Sequence, residues 1–330
     1  MIPLEQIRRI VFIRTDRLGE TLLNLPAVAA LKAGLPQASL TLLVHPQLQP
    51  LLASLPGVER VLTLDAGGEG AWGMRAIRLG QRLRAHRFDL AMVSNPKKEV
   101  HAAVWLAGIP LRVGYDRKWG GLLTHRLPER RALGERHEVE HNLDLLRVLG
   151  VPIAAPSWQL PRFEREQRDA LRLLEQQGIP PSEPFMAVHP WTSNPAKQWP
   201  AARFQQLIRT AWESLRLRAV VIGGAESVAH AGTVLPVECP VANLVGRLTL
   251  SELAGLLQRA ALLVSNDSGP VHLAAAVHTK TVVLFGTTDP ATGPTRWGPW
   301  GSGHLAIWKP SMDAIAVDEV LAAVRQQLVS

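Results

Sequence analysis

Apolar and polar positions along this chain switch repeatedly between two periods. Short β-branched or leucine-rich runs fall at 9–14, 39–44, 59–64, 88–93 and 111–114, and stretches with apolar residues every three to four positions fall at 20–33, 47–53, 71–86, 97–107 and 138–149. A second series has short runs near 185–189, 217–223, 242–245, 260–265 and 280–285, with helical periods near 164–177, 201–214, 249–258, 269–277 and 313–328. Strands alternating with helices predict parallel sheets covered by helices on their faces. Between the two series, Gly150 to Pro161 carries Pro152 and Pro156 and shows no helical period. That stretch reads as a linker and divides the chain into domains 1–160 and 161–330.

Length and composition agree with this division. The chain has 330 residues, long for one domain, and a hydrophobic content of 47% is enough for two cores. Its one cysteine, Cys239, allows no internal disulfide and suits a reducing compartment. No apolar run reaches membrane-spanning length and the N-terminus lacks a basic region followed by an apolar one, so neither a span nor a signal peptide is expected. A cytoplasmic location follows as the expectation.

Charge adds a constraint on partners. Lys and Arg number 36 against 28 Asp and Glu, a net charge of +8, with basic residues dense in 75–87 and 112–136. Such a balance concentrates anionic ligands. Nucleic acid is disfavoured, because zinc-finger spacing, aromatic ribonucleoprotein motifs and a helix-turn-helix pattern are missing. The turn at 15–20 has a single glycine rather than a dinucleotide fingerprint, and no Walker loop, nucleophile elbow or Asp-x-Asp is found. Phosphates bound here must therefore be met by helix ends and basic side chains.

Candidate chemistry lies where apolar runs break into helices. Val264-Ser-Asn-Asp-Ser-Gly-Pro-Val-His-Leu-Ala-Ala-Ala276 is a polar elbow entering an alanine-rich helix. Its Ser268, Gly269 and Pro270 suit a helix start whose unsatisfied N–H groups face an anion, and they suit an ordinary capped helix as well. Near the N-terminus, Arg14-Thr15-Asp16-Arg17-Leu18-Gly19-Glu20 places two carboxylates, Asp16 and Glu20, beyond a strand end, where ligands of open α/β sheets sit.

Three further elbows follow strands. His189 to Pro200 offers hydroxyls at Thr192 and Ser193 and a point charge at Lys197 for phosphate oxygens. Gly223-Gly224-Ala225-Glu226 permits close backbone approach, with Glu226 suited either to accept from ribose hydroxyls or simply to start a helix on a tight turn. Gly286-Thr287-Thr288-Asp289-Pro290 supplies Thr287 more weakly. In the first half, Arg112-Val113-Gly114-Tyr115-Asp116-Arg117-Lys118 with Trp119 is a basic, aromatic loop. His137 and His141 stand one helical turn apart, a spacing open to a metal pair but read as solvated histidines without a third ligand.

Taken in order, these motifs resemble glycosyltransferase family 9, the ADP-heptose:lipopolysaccharide heptosyltransferases. The likeness rests on Arg14 to Glu20, Arg112 to Tyr115, His137 to Gly150, His189 to Pro200, Asn266 to Ala276 and Phe285 to Pro290. It implies a GT-B fold, two Rossmann-like parallel-sheet domains facing an interdomain cleft, the first binding acceptor and the second the ADP-sugar. It also implies inverting, metal-independent transfer of heptose to a lipopolysaccharide inner-core acceptor, with no resident cofactor.

By the same resemblance, the family's Leu-Gly-Asp base falls on Glu20, with Asp16 as the backup. Lys197 and Thr192 or Ser193 would contact the diphosphate and Glu226 the ribose. Asp267, Ser268, Gly269, His272 and Thr287 would surround the donor. Arg17, Arg112, Arg117 and Lys118 would meet an acidic lipid-linked oligosaccharide at the cytoplasmic face of the inner membrane. A family-9-like enzyme with another nucleotide sugar, or a catalytically silent polyanion-binding relative, is the alternative.

Overall fold

The two halves are wound alike. The computed structural model describes residues 3–64, 71–153, 158–237 and 239–329. It divides into one unit over Met1–Gln159 and another over Leu160–Ser330. Residues 154–157 of the expected linker lie outside the described residues.

The first unit holds β1 (Arg9–Arg14), β2 (Ser39–Val44), β3 (Arg60–Thr63), β4 (Leu90–Val93), β5 (Leu111–Tyr115) and β6 (His125–Leu127). They form one parallel sheet in the order β3-β2-β1-β4-β5-β6. The second holds β7 (Phe185–His189), β8 (Arg218–Val221), β9 (Val241–Asn243), β10 (Leu262–Asn266), β11 (Thr281–Gly286) and β12 (His304–Lys309). Its order, β12-β11-β10-β7-β8-β9, is the same winding counted from the opposite edge, again all parallel.

Central strands covered by helices on both faces have no polar side to show water. Hence β7 and β10 are buried at every position, and β1 at all but Arg9. In the first unit Val11, Ile13, Ala91 and Val93 pack with Leu79, Leu83, Val100 and Val104 of the covering helices. In the second, Met186, Val188, Val264 and Leu284 pack with Phe204, Ile208, Val320 and Val324. Trp199 is fully buried there, its indole N–H donating to the Ile315 carbonyl at 3.0 Å. In each sheet the winding reverses between the first and fourth strands, β1 and β4 or β7 and β10. Ligands of such sheets bind beyond the carboxyl ends at that reversal.

Several elements depart from the periodic reading. The helix expected over 20–33 is two, Leu18–Leu22 and Leu25–Gly34, because Pro26 has no N–H to continue the first. Asn24 fills the break, its amide donating to the Glu20 carbonyl at 2.6 Å. Strands β6 and β12 were not expected. The first is only three residues long, and the second is a half-exposed edge whose partner β11 supplies the register. The last helix begins at Val317 rather than 313, after a tight turn at Met312–Ala314.

Candidate active site

In the second unit the reversal point carries a dense polar group. The segment after β7 turns through Asn194, whose side chain accepts from the Ala196 N–H at 3.1 Å and shapes the short turn Pro195–Lys197. The segment after β10 enters the helix Gly269–Ala276 with Ser268 as its N-cap. Across the two, Lys197 Nζ donates to Asp267 Oδ2 at 2.6 Å. Asn266 fixes their spacing: its Oδ1 accepts from the Trp199 N–H at 3.1 Å, and its Nδ2 donates to the Pro190 carbonyl at 2.7 Å.

His189, the last residue of β7, lies beneath this group. Its Nδ1 is 3.0 Å from Ser268 Oγ and 3.3 Å from Ser265 Oγ. Burial pulls its pKa down to about 4, so the ring is neutral near pH 7 and holds the Ser268 hydroxyl by a neutral hydrogen bond. The sequence reading used His189 only to mark the start of a loop. Its position as a polar ring closing an apolar strand was the available signal.

The other donor-site candidates follow strands of the same parallel sheet and so share its carboxyl edge. Thr192 is half-buried and Ser193 exposed on the segment after β7. Gly223 lies against Trp191, where an added Cβ would come within 2.7 Å of the ring, and Glu226 is exposed in the next turn. Thr287 follows β11 and shares a hydroxyl contact of 2.9 Å with Thr292. Gly269 opens the helix and His272 is buried in its first turn. Lys197, Asp267 and Ser268 thus meet around one point, while Glu226 and Thr287 flank it on separate loops.

The first unit repeats the arrangement with the charges exchanged. Asp16 follows β1 and Lys97 follows β4, with Nζ 3.0 Å from Oδ1. Asn95 Nδ2 donates to the same oxygen at 2.6 Å, and Arg14 Nε lies 3.2 Å from Oδ2. Burial alone would raise the Asp16 pKa. The charges of Arg14 and Lys97, with hydrogen bonds from Lys97 and Asn95, outweigh it and hold the carboxyl below its ordinary value. Both Asp16 oxygens are committed. Glu20, half-buried in the first turn of Leu18–Leu22, has no ion pair or side-chain hydrogen bond among the described residues.

Behind Asp16 lies a buried network that sequence reasoning missed. Arg14 Nη1 donates to Ser94 Oγ at 3.0 Å, and both Arg14 (3.7 Å) and Arg131 (3.4 Å) face Glu138 Oε1. Arg131 also pairs with Glu129 and stacks 4.0 Å from the Tyr115 ring centroid. The run Ser94-Asn95-Pro96-Lys97 directly after a predicted strand was the legible hint.

Among the acceptor candidates, Arg17, Arg117 and Lys118 are exposed. Arg112 is not available in the same way: its guanidinium donates to the carbonyls of Ile109 and Leu122, an internal brace. The histidines at 137 and 141 correct an expectation too. Residues 137–141 spell His-Glu-x-x-His, yet His137 Nδ1 accepts from the Val139 N–H as a helix cap and Glu138 serves the arginine network. His141 is buried rather than solvated. No group of three or more His, Cys, Asp or Glu side chains that could hold a metal occurs among the described residues.

Two doubly wound parallel units, with lysine, carboxylate and helix terminus gathered at the reversal point of the second, define the GT-B class of glycosyltransferases. Residues 76–319 match glycosyltransferase family 9 (heptosyltransferase), and the chain belongs to that family. It is 26% identical over 305 residues to lipopolysaccharide heptosyltransferase 3 of Escherichia coli, covering 88% of this chain and 86% of that one. Among solved structures, a glycosyl transferase family 9 protein from Veillonella parvula superposes with a TM-score of 0.89 at 20% identity, covering 99% of both chains. An E. coli heptosyltransferase solved with ADP superposes with a TM-score of 0.75 at 20% identity, covering 97% of this chain and 99% of the other.

Proposed function

We propose that this family 9 glycosyltransferase moves heptose from ADP-heptose to a hydroxyl of a lipopolysaccharide inner-core acceptor, inverting the anomeric centre in a single displacement. The observation that carries the reading is Lys197 held at 2.6 Å from Asp267 beside the Ser268 helix start. An ammonium group has three protons, so Lys197 can keep its bond to Asp267 and still donate to a diphosphate oxygen. The Gly269 N–H adds a donor, Pro270 having none and the Val271 N–H being bonded to the Ser268 carbonyl at 3.1 Å, and the helix start adds a favourable dipole. Negative charge grows on the leaving diphosphate, and donors already in place stabilise it without reorganising.

Thr192 and Ser193 offer further hydroxyls to the diphosphate, Glu226 accepts from the ribose, and Gly269, His272 and Thr287 border the donor. Glu20 takes the proton from the acceptor hydroxyl as its oxygen attacks the anomeric carbon and ADP leaves. Its unpaired carboxylate favours it over Asp16, whose Oδ1 already accepts from Lys97 and Asn95 and whose Oδ2 faces Arg14. A positioned base contributes about 10²–10⁴-fold. Arg17, Arg117 and Lys118, all exposed, meet acidic groups of the acceptor at the cytoplasmic membrane face. No divalent ion takes part in this scheme.

The test is transfer of labelled heptose from ADP-heptose to purified inner-core acceptors, with and without a chelator. Transfer that survives chelation and gives the inverted linkage supports the reading. Transfer only from another nucleotide sugar replaces the donor, and binding of ADP-sugars without any transfer leaves a silent relative.

A further inference from the structure

The reversal point of the second sheet holds a serine that does not cap its helix. Ser268 occupies the N-cap position of Gly269–Ala276, where a serine hydroxyl ordinarily accepts from a backbone N–H of the first turn, yet its side chain makes no such bond. The hydroxyl turns to the strands instead. Its Oγ lies 3.0 Å from His189 Nδ1 and 3.0 Å from Ser265 Oγ. His189 and Ser265 are register partners on β7 and β10, so the parallel pairing sets both side chains on one face of the sheet.

Counting protons decides how the three side chains bond. Ser265 Oγ is 2.7 Å from the Asn266 carbonyl, and a carbonyl only accepts, so the Ser265 proton points there. Ser265 Oγ is then left to accept, from Ser268 and from His189 Nδ1 at 3.3 Å. Were Nδ1 bare, it would take the Ser268 proton, and both contacts on Ser265 Oγ would set lone pair against lone pair. A proton on Nδ1 removes both conflicts. Its N–H reaches Ser268 Oγ, with Ser265 Oγ as a second acceptor, and Ser268 keeps a proton of its own to donate. Nε2 has no hydrogen-bond partner among the described residues, so a proton placed there would gain nothing from the protein. Burial keeps the ring neutral near pH 7, with one proton for its two nitrogens.

We propose that His189 is a positioning residue for the donor: its Nδ1–H donates to Ser268 Oγ and leaves the single Ser268 proton for an oxygen of the donor diphosphate. This rests on the ADP-sugar of the proposed function and adds the residue that aims one of its hydrogen-bond donors. Without a donor molecule the Ser268 proton goes to Ser265 Oγ. A diphosphate oxygen beside Lys197 carries charge, is the stronger acceptor and takes the proton over. Ser268 is half-buried, next to the Asp267 that holds Lys197. Buried Trp191 meets the His189 ring edge to face, with centroids 6.3 Å apart, and resists its turning over.

Heteronuclear NMR of the chain with nitrogen-labelled histidine locates the proton directly. The His189 ring should show a protonated Nδ1 and a bare Nε2 near pH 7. Calorimetry with ADP reads the consequence. His189→Leu should weaken ADP binding about tenfold, whereas His189→Asn, whose amide N–H stands near the place of the Nδ1–H, should stay within about threefold of the parent. In a Ser268→Ala background His189→Leu should cost less than about twofold, because the hydroxyl it aims is gone. A ring that only filled space would cost the same in both backgrounds. If the leucine variant does not fold, the NMR of the parent still decides. A bare Nδ1, or equal losses with and without the Ser268 hydroxyl, overturns this inference and leaves the proposed transfer untouched. Coupling of the two residues in ADP binding, without any heptose transfer, removes only the proposed function.

Discussion

Lys197 and Asp267, seventy residues apart in the chain, meet at 2.6 Å because β7 and β10 are neighbours where the second sheet reverses its winding. Lys97 and Asp16 do the same across β4 and β1, at 3.0 Å, with the acid now on the first strand and the lysine on the fourth. The two pairs differ in surroundings. Lys197–Asp267 adjoins the start of an eight-residue helix and a neutral histidine, whereas Asp16 is enclosed by Arg14, Lys97 and Asn95. The first arrangement leaves donors for an incoming anion, and the second already satisfies its own.

Replacing Lys197 by alanine should weaken ADP binding at least about tenfold, about 1.4 kcal/mol, as measured by calorimetry. The fold should persist, since the side chain is partly exposed and only one carboxylate loses its partner. Unchanged ADP affinity would move the diphosphate elsewhere.

The two carboxylates of the first unit should separate cleanly by kinetics and stability. Glu20→Gln is expected to lower turnover at least about a hundredfold with donor affinity near that of the parent. Asp16→Asn should instead destabilise the unit, by about 1–2 kcal/mol in chemical unfolding, because it leaves Lys97 without its anion and Arg14 with Glu138 alone. A fully active Glu20→Gln beside an inactive but stable Asp16→Asn would reverse the assignment.

His189 and His304 are both drawn down to about 4, the first by burial and the second by burial and the nearby His278. The unfolded chain takes up these protons near the ordinary value of 6.5, and the folded chain resists until about 4. Stability is therefore whole above pH 6.5 and declines as pH falls toward 4, by about 3 kcal/mol for each histidine at most. Denaturant titrations across that range should show the slope, and His189→Gln should flatten it. An equal slope in the variant would contradict the assigned burial.

Gly223→Ala should cost about 1–3 kcal/mol, since its Cβ would stand 2.7 Å from the Trp191 ring. Chemical unfolding measures it, and a neutral result would mean that the ring yields freely.

The alternation of periods was enough to place ten of the twelve strands among the described residues, because the central ones, buried on both faces, spell out continuous apolar runs. Strands β6 and β12 escaped it. His125-Arg126-Leu127 of β6 contains no apolar run, and β12 is a partly exposed edge with no fully buried position. Lys197, Asp267 and Ser268 were legible as strand-end chemistry. The roles of Arg14, Lys97 and Glu138 were not, since each depends on contacts across long sequence separations, and Arg131 joins them through Glu138. Arg112 stood in a basic, exposed-looking motif, yet carbonyls from its own unit claim its guanidinium.

The break at Leu23–Asn24 has a bearing on reach. Asn24 ties down the Glu20 carbonyl at 2.6 Å, and Asn142 ties down that of Leu23 at 3.0 Å, so the five-residue helix is pinned at its far end. A pinned scaffold cannot retreat to make room for a longer side arm. With glutamate where its resemblance to the family suggests aspartate, the carboxylate tip extends by one extra carbon–carbon link, about 1.5 Å. In the proposed role of Glu20 as base, an incoming hydroxyl docks that much farther from the peptide, and shortening the arm to aspartate is expected to open a gap rather than restore a fit.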